Sequence, residues 1–176
     1  MSFIDKSYFT GDIFLPEDKY STPVQTSIEK YEPEILKSLL GYELYKLVIA
    51  ANPTEDRITK LIDGDEFEVY DQTYQWIGLK NDRKISLIAY YVYYYTRREN
   101  ITESTYFAEV QSAHENANHA SPAMKIQLAW QMLLKYYGSA SDVDNYESAY
   151  AYMQNRIDDY PEWKFTELGS VNAFDL

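Results

Sequence analysis

Two histidines, His114 and His119, are the only imidazoles in the chain, and His114 is followed by Glu115. Helical zinc proteases place two histidines four apart so that both reach one metal from one face, with the glutamate as base. Here the rings are five apart, on different helical faces, and no third ligand stands nearby. The pair reads as part of a solvated loop. Asp63, Asp65, Glu66 and Glu68 around Gly64 share letters with a calcium loop but lack its alternating ligand series and closing bidentate glutamate. A tight turn opening an acidic strand accounts for them. Asn100-Ile101-Thr102 is a glycosylation sequon that matters only in a secreted chain.

The six glycines form neither a phosphate cradle nor a dinucleotide fingerprint, and no serine sits in a nucleophile elbow. No carboxylate pair has the apolar setting that would split two pKa values for acid–base work. Lys80, Arg83, Lys84, Arg97 and Arg98 make a local basic spot, read either as solvated helix ends or as a contact with an acidic neighbour. No catalytic or metal-binding residue and no cofactor is expected, and the chain reads as a non-enzyme.

Composition narrows the partners. With 16 basic and 28 acidic residues the chain carries a net charge of −12. Affinity for nucleic acid comes largely from lysine and arginine displacing counterions at phosphates, so gripping DNA is disfavoured, although DNA passing by without sticking is not. An anionic membrane surface is disfavoured for the same reason. The longest nearly apolar run, residues 85–95, is too short to span a bilayer. The first residues, with Asp5 and Lys6, lack an apolar signal core. There are no cysteines, which excludes thiolate metal sites and fits a reducing compartment. Nineteen tyrosines exceed what one core of this size needs. Tyrosine joins a large apolar face to a hydroxyl that tolerates wetting, so extensive subunit contact is expected, with compositional drift as the bland reading.

The elements that would position these residues are mostly helical. Residues 1–21 have no helical period and read as an extended N-terminal arm with apolar anchors that lies on its own domain or on a neighbour. Residues 22–165 read as one helical domain. Thr22-Pro23 starts a helix carrying Ile28, Tyr31, Ile35 and Leu39 at helical spacing. Pro33 should kink or restart it near Glu32, and Gly41 should end it. A short helix follows over residues 42–51, and Thr54 caps another. Alternation at Phe67 and Val69 predicts a strand, with residues 73–77 returning across Asp71-Gln72 as a small hairpin. A central helix is expected over residues 79–98, apolar on every side and carrying five tyrosines that need hydroxyl partners. Residues 100–121 read as an extended loop or hairpin standing away from the helices. Ser121-Pro122 opens a helix stopped by Gly138, and Ser141 or Asp142 caps a last one ending at Tyr160-Pro161. Trp163 and Phe165 should dock back, and residues 166–176 form a polar C-terminal tail. The expected fold is mainly α: a bundle of about five to six helices with a small β-hairpin insertion.

This order of parts resembles the helical head–tail connector proteins of tailed phages, also called adaptor, head-completion or neck ring proteins. The resemblance rests on residues 31–45 with their Leu-Gly-x-x-Leu-Tyr ending, and on the short helix closing at Leu61-Ile62-Asp63-Gly64. It continues with Trp76-Ile77-Gly78-Leu79-Lys80 feeding the tyrosine-rich helix to Thr96-Arg97-Arg98-Glu99-Asn100, and with Tyr160-Pro161-Glu162-Trp163 after the last helix pair. It covers residues 25–165. It implies a virion protein without catalytic residues, a cyclic homo-oligomer, commonly twelve-fold, docked beneath the portal protein. Such a ring extends the DNA channel without specific binding and offers a surface to the next neck or tail protein.

On that reading the interface residues are Phe9, Ile13 and Phe14 of the arm and Tyr91, Tyr94, Tyr95, Arg97 and Arg98 of the central helix. Tyr106, Phe107 and Val110 of the loop, Trp163 and Phe165 after the last helix, and Phe174 and Leu176 of the tail complete the set. The runner-up is a small acidic phage regulator that sequesters a host protein through a tyrosine-rich face. An acidic-pocket hydrolase comes third, testable at His114.

Overall fold

The structure, a computed structural model, describes residues 2–15, 23–50, 55–104, 122–142 and 144–169. The longest apolar stripe becomes α1 (Val24–Val48), which buries Ile28, Tyr31, Ile35, Leu36, Leu39, Leu40 and Leu44. Pro33 does not restart it. The helix runs through this proline, and Pro33, half-buried, and Glu29, exposed, lie on its wetter side. The interruption is at Gly41, whose φ of 74° and ψ of 163° split α1 into two helical pieces.

Gly41 is required there for two reasons. Its φ lies where only glycine is unstrained, and a Cβ on it would fall 2.8 Å from the Cβ of Lys164. The break also leaves carbonyls without helical donors. The C-terminal segment supplies them: Thr166 N donates to Ser38 O (2.9 Å), Lys164 N to Leu40 O (3.2 Å) and Trp163 Nε1 to Leu39 O (2.8 Å). Trp163 and Phe165 thus dock back as expected.

The short helix α2 (Asp56–Asp63) leads into β1 (Asp65–Val69), which pairs antiparallel with β2 (Gln72–Trp76), Phe67 opposite Tyr74 and Val69 opposite Gln72. Phe67, Val69 and Trp76 face the core, and Trp76 Nε1 donates to Leu61 O at 2.9 Å. The turn is one residue earlier than expected, at Tyr70-Asp71, with φ of 50° and 61°. Two positive φ values are what a two-residue hairpin of this hand demands.

The central helix α3 (Leu87–Ser104) starts eight residues later than its apolar period suggests. Asn81 and Ser86 hold residues 79–86 in a loop by offering the backbone local alternatives to a helix. The Asn81 side chain donates to Ile77 O and Ile85 O and accepts Ile85 N, while Ser86 Oγ donates to Leu79 O (2.7 Å) and accepts Ile88 N (3.2 Å). At its other end α3 continues to Ser104, so the start of the expected excursion is helical. The rest of that excursion, with His114 and His119, lies outside the described residues.

Helix α4 (Pro122–Tyr137) begins and stops as expected and buries Ile126, Ala129, Trp130, Leu133 and Tyr137. The last helix, α5 (Ala149–Asn155), is shorter than its period suggests. Its cap is Ser148, whose Oγ accepts Ala151 N, because residues 139–142 and 144–148 are drawn into turns by serine and asparagine side chains.

The two outer layers meet on α3. Tyr95 stacks on Tyr31 of α1 (5.3 Å between centroids), while Tyr94 packs on Trp130 of α4 (4.6 Å) and Tyr90 on Tyr136 (6.0 Å). Residues 2–15 are not an extended arm. They fold into two single turns, Lys6–Tyr8 and Gly11–Ile13, and bury Phe3, Ile4, Tyr8, Phe9, Ile13 and Leu15 in the chain's own core. The protein is mainly helical with a small two-stranded antiparallel hairpin, the expected fold class. Among the described residues no helix is long and apolar enough to cross a membrane.

Candidate docking surfaces

The expected interface residues divide by burial. Phe9 and Ile13 are buried against the chain's own core, as are Tyr91 and Tyr94, so they present little surface to a neighbour. The tyrosine surplus is likewise taken up largely inside the chain: Tyr8, Tyr31, Tyr91, Tyr93, Tyr94, Tyr137, Tyr152 and Tyr160 are all buried. Their hydroxyls find internal partners. Tyr91 Oη donates to Glu34 Oε1 (2.9 Å), Tyr137 Oη to Thr166 O (2.6 Å) and Tyr160 Oη to Arg57 O (2.7 Å). Burial raises the pKa of each of these three hydroxyls above the ordinary tyrosine value and keeps them neutral donors. Tyr95 is half-buried in the stack on Tyr31.

Arg97 and Arg98 are half-buried rather than solvated. Arg98 lies over the Tyr94 ring and donates to its hydroxyl at 3.2 Å, while burial raises the Tyr93 pKa and nearby Arg97 only partly offsets it. Trp163 and Phe165 are half-buried in a cluster with Tyr150 and Tyr137. Only Phe14, 59% exposed, offers a wide apolar face among the expected residues that are described. Tyr106, Phe107, Val110, Phe174 and Leu176 lie outside the described residues.

The basic spot and the acidic turn meet in one cleft of about 730 Å³. Asp5, Asp63, Asp65 and Glu66 line it opposite Lys80, Arg83 and Lys84. Most of these charges are already matched: Lys80 with Asp63 at 3.3 Å, Asp65 with Arg156 at 2.7 Å, and Lys84 over the Tyr8 ring at 4.7 Å. A hydrogen bond from Ser7 and the Lys84 ammonium hold the Asp5 carboxyl below its ordinary range. Among the described residues no group of three or more histidines, cysteines or carboxylates could hold a metal ion. The cleft is a salt-bridged seam between the hairpin base, the loop after it and the first turn.

Three features escaped the reading of the sequence. The first is the outer face of α4. Met124, Leu128 and Leu134 are 53%, 42% and 39% exposed there, interleaved with exposed Gln127 and Gln131. Lys125 and Lys135 stand at the two ends, Lys135 paired with Glu147 at 2.8 Å. The outer face of α1, by contrast, carries Glu29, Lys30, Glu34, Lys37, Glu43 and Lys46. The signal was Met124 and Leu128 four apart on the side opposite the buried stripe, with Leu134 at that stripe's edge, but a leucine reads as core until its direction is known. The second feature is Tyr70 at the hairpin tip, 88% exposed.

The third is Glu32, a buried carboxylate on α1 that accepts Ser2 Oγ (2.9 Å), Phe3 N (3.1 Å) and Ile4 N (3.3 Å). It latches the first residues onto α1, although burial still lifts its pKa above the usual glutamate value. No protein-family model, no curated protein and no solved structure matches the chain.

Proposed function

We propose that the chain is a structural ring subunit at the head–tail junction of a tailed phage. In this reading it docks beneath the portal protein, extends the DNA channel and carries the next neck or tail protein on its far side. One observation supports the reading most directly: α4 turns a partly apolar face outward, its charges confined to Lys125 and Lys135 at the two ends, on a chain of net charge −12. Copies that all carry the same sign repel one another through their charged faces. The α4 face is where two copies approach with least repulsion, and the lysines at its ends suit the acidic flank of the next copy.

A ring needs such a heterologous contact, one face of each subunit meeting a different face of its neighbour. Twelve-fold symmetry, the portal as partner and location in the virion come from the ordered resemblance over residues 25–165. The acidic surface suits a channel wall that does not hold DNA.

The test is assembly. The wild-type chain, alone or mixed with portal rings, is expected to form closed rings by native mass spectrometry and electron microscopy. Leu128→Asp with Leu134→Asp should keep the circular-dichroism spectrum and unfolding midpoint. Rings should be lost, with association weakened at least about 100-fold, since each change removes apolar burial and brings a carboxylate into the contact. Wild-type chains that stay monomeric in both settings would sink the ring and favour an acidic module binding a host protein. Rings that persist in the double variant would remove α4 from the interface.

A further inference from the structure

The tip of the hairpin has no task inside the fold. Tyr70 is 88% exposed and makes no hydrogen bond or ring contact. It nevertheless stands at φ +50°, followed by Asp71 at +61°. Positions of this kind favour glycine, asparagine or aspartate, and a bulky side chain strains the backbone. A tyrosine here therefore disfavours the turn and gives the core nothing in return. Strain of this sort is kept where the side chain acts on something outside the fold.

The flanking chemistry indicates what that is. Glu68 and Asp71 are exposed beside the tip and neither is ion-paired, and residues 61–79 contain no lysine or arginine. Elsewhere in the chain several tyrosine rings carry a cation, among them Tyr8 under Lys84 (4.7 Å), Tyr94 under Arg98 (5.5 Å) and Tyr152 under Arg156 (5.5 Å). Asp65 accepts Arg156 beside the Tyr152 ring at 2.7 Å. The tip likewise sets a tyrosine next to carboxylates along the chain, at Glu68, Tyr70 and Asp71.

We propose that the hairpin tip is a docking finger for an arginine-bearing segment of another protein. The guanidinium lies on the Tyr70 ring while Glu68 and Asp71 accept its N–H groups. Arginine fits better than lysine because its planar fork both stacks on a ring and bridges to a carboxylate. The surrounding acid excludes nucleic acid as the occupant. The assignment goes beyond ring assembly and does not depend on it.

The experiment titrates the isotope-labelled full chain with a short arginine-rich peptide and its all-lysine counterpart, followed by amide NMR shifts. Shifts are expected to cluster at residues 68–72 and to be weaker with the lysine peptide. Tyr70→Phe should retain them, and Tyr70→Asn, which keeps every charge, should lower the affinity at least about fivefold. The same Tyr70→Asn chain should unfold at a urea concentration about 0.3 M higher, because the left-handed strain is relieved. Any of four results would overturn the assignment: shifts spread evenly over the acidic surface, equal binding by Tyr70→Asn, a lowered midpoint, or tip shifts that follow protein concentration without peptide. The last would mean that a second copy occupies the tip.

Discussion

Glu32 shows how one side chain can organise a terminus that has no period of its own. Its carboxylate gathers three donors from Ser2, Phe3 and Ile4, and those bonds favour the ionised form. Burial disfavours that form more strongly, so the folded-state pKa is raised above 4.5. A carboxylate raised in this way binds its proton more tightly folded than unfolded. Its contribution to stability therefore falls as pH rises from the ordinary glutamate value through the raised one. Glu32→Gln cannot titrate. Wild-type stability is expected to gain on that of the variant as pH is lowered toward 4.5, by about 1 kcal/mol for each unit of raised pKa. Urea unfolding of both chains from pH 7 to pH 4.5 measures this, and parallel pH profiles would refute a raised pKa. The segment that Glu32 holds is legible in the sequence only as scattered apolar residues, because the latch lies 28 residues or more away.

Among the elements, the break in α1 and the C-terminal segment explain each other. Gly41 was readable as a helix end, since glycine is the residue that tolerates its φ. The source of donors for the exposed carbonyls was not readable, because Trp163 is 124 residues from Leu39. Pro33 misleads in the opposite direction: the helix runs through it although one backbone bond is lost there. Trp163→Ala removes one of the three donors and the ring that packs on Tyr150 and Phe165. It should destabilise the chain by about 2 kcal/mol in urea unfolding, the low end for a large aromatic because Trp163 is only half-buried. Amide exchange at Lys164 and Thr166 should accelerate with it, as their bonds to Leu40 O and Ser38 O loosen. Unchanged exchange at those two amides would show that the segment is held without the indole.

The molecule as a whole is a strongly acidic particle whose apolar surplus is concentrated inside. The tyrosines that suggested subunit contact are largely satisfied within the chain, so the proposed self-association is argued from the α4 face and not from tyrosine count. Assembly of like-charged copies is opposed by a repulsion that salt screens, with a Debye length near 30 Å at 0.01 M and about 8 Å at physiological strength. Ring formation is therefore expected to strengthen as sodium chloride is raised from about 0.05 to 0.5 M, read as a falling concentration for half-assembly in light scattering. Assembly that weakens over that range would mean that ion pairs, and not a partly apolar face, hold the subunits together.

Helix class, the hairpin and the stops at Gly41 and Gly138 were set by local sequence. Each depends on residues within a few positions of one another. Tertiary structure decided whether Phe9, Ile13, Tyr91 and Tyr94 face inward, where α3 begins, and which apolar residues of α4 are exposed. Periodicity tells which side chains share a face. It does not tell what that face meets, and here the partners are set by hydrogen bonds and packing between segments up to 124 residues apart.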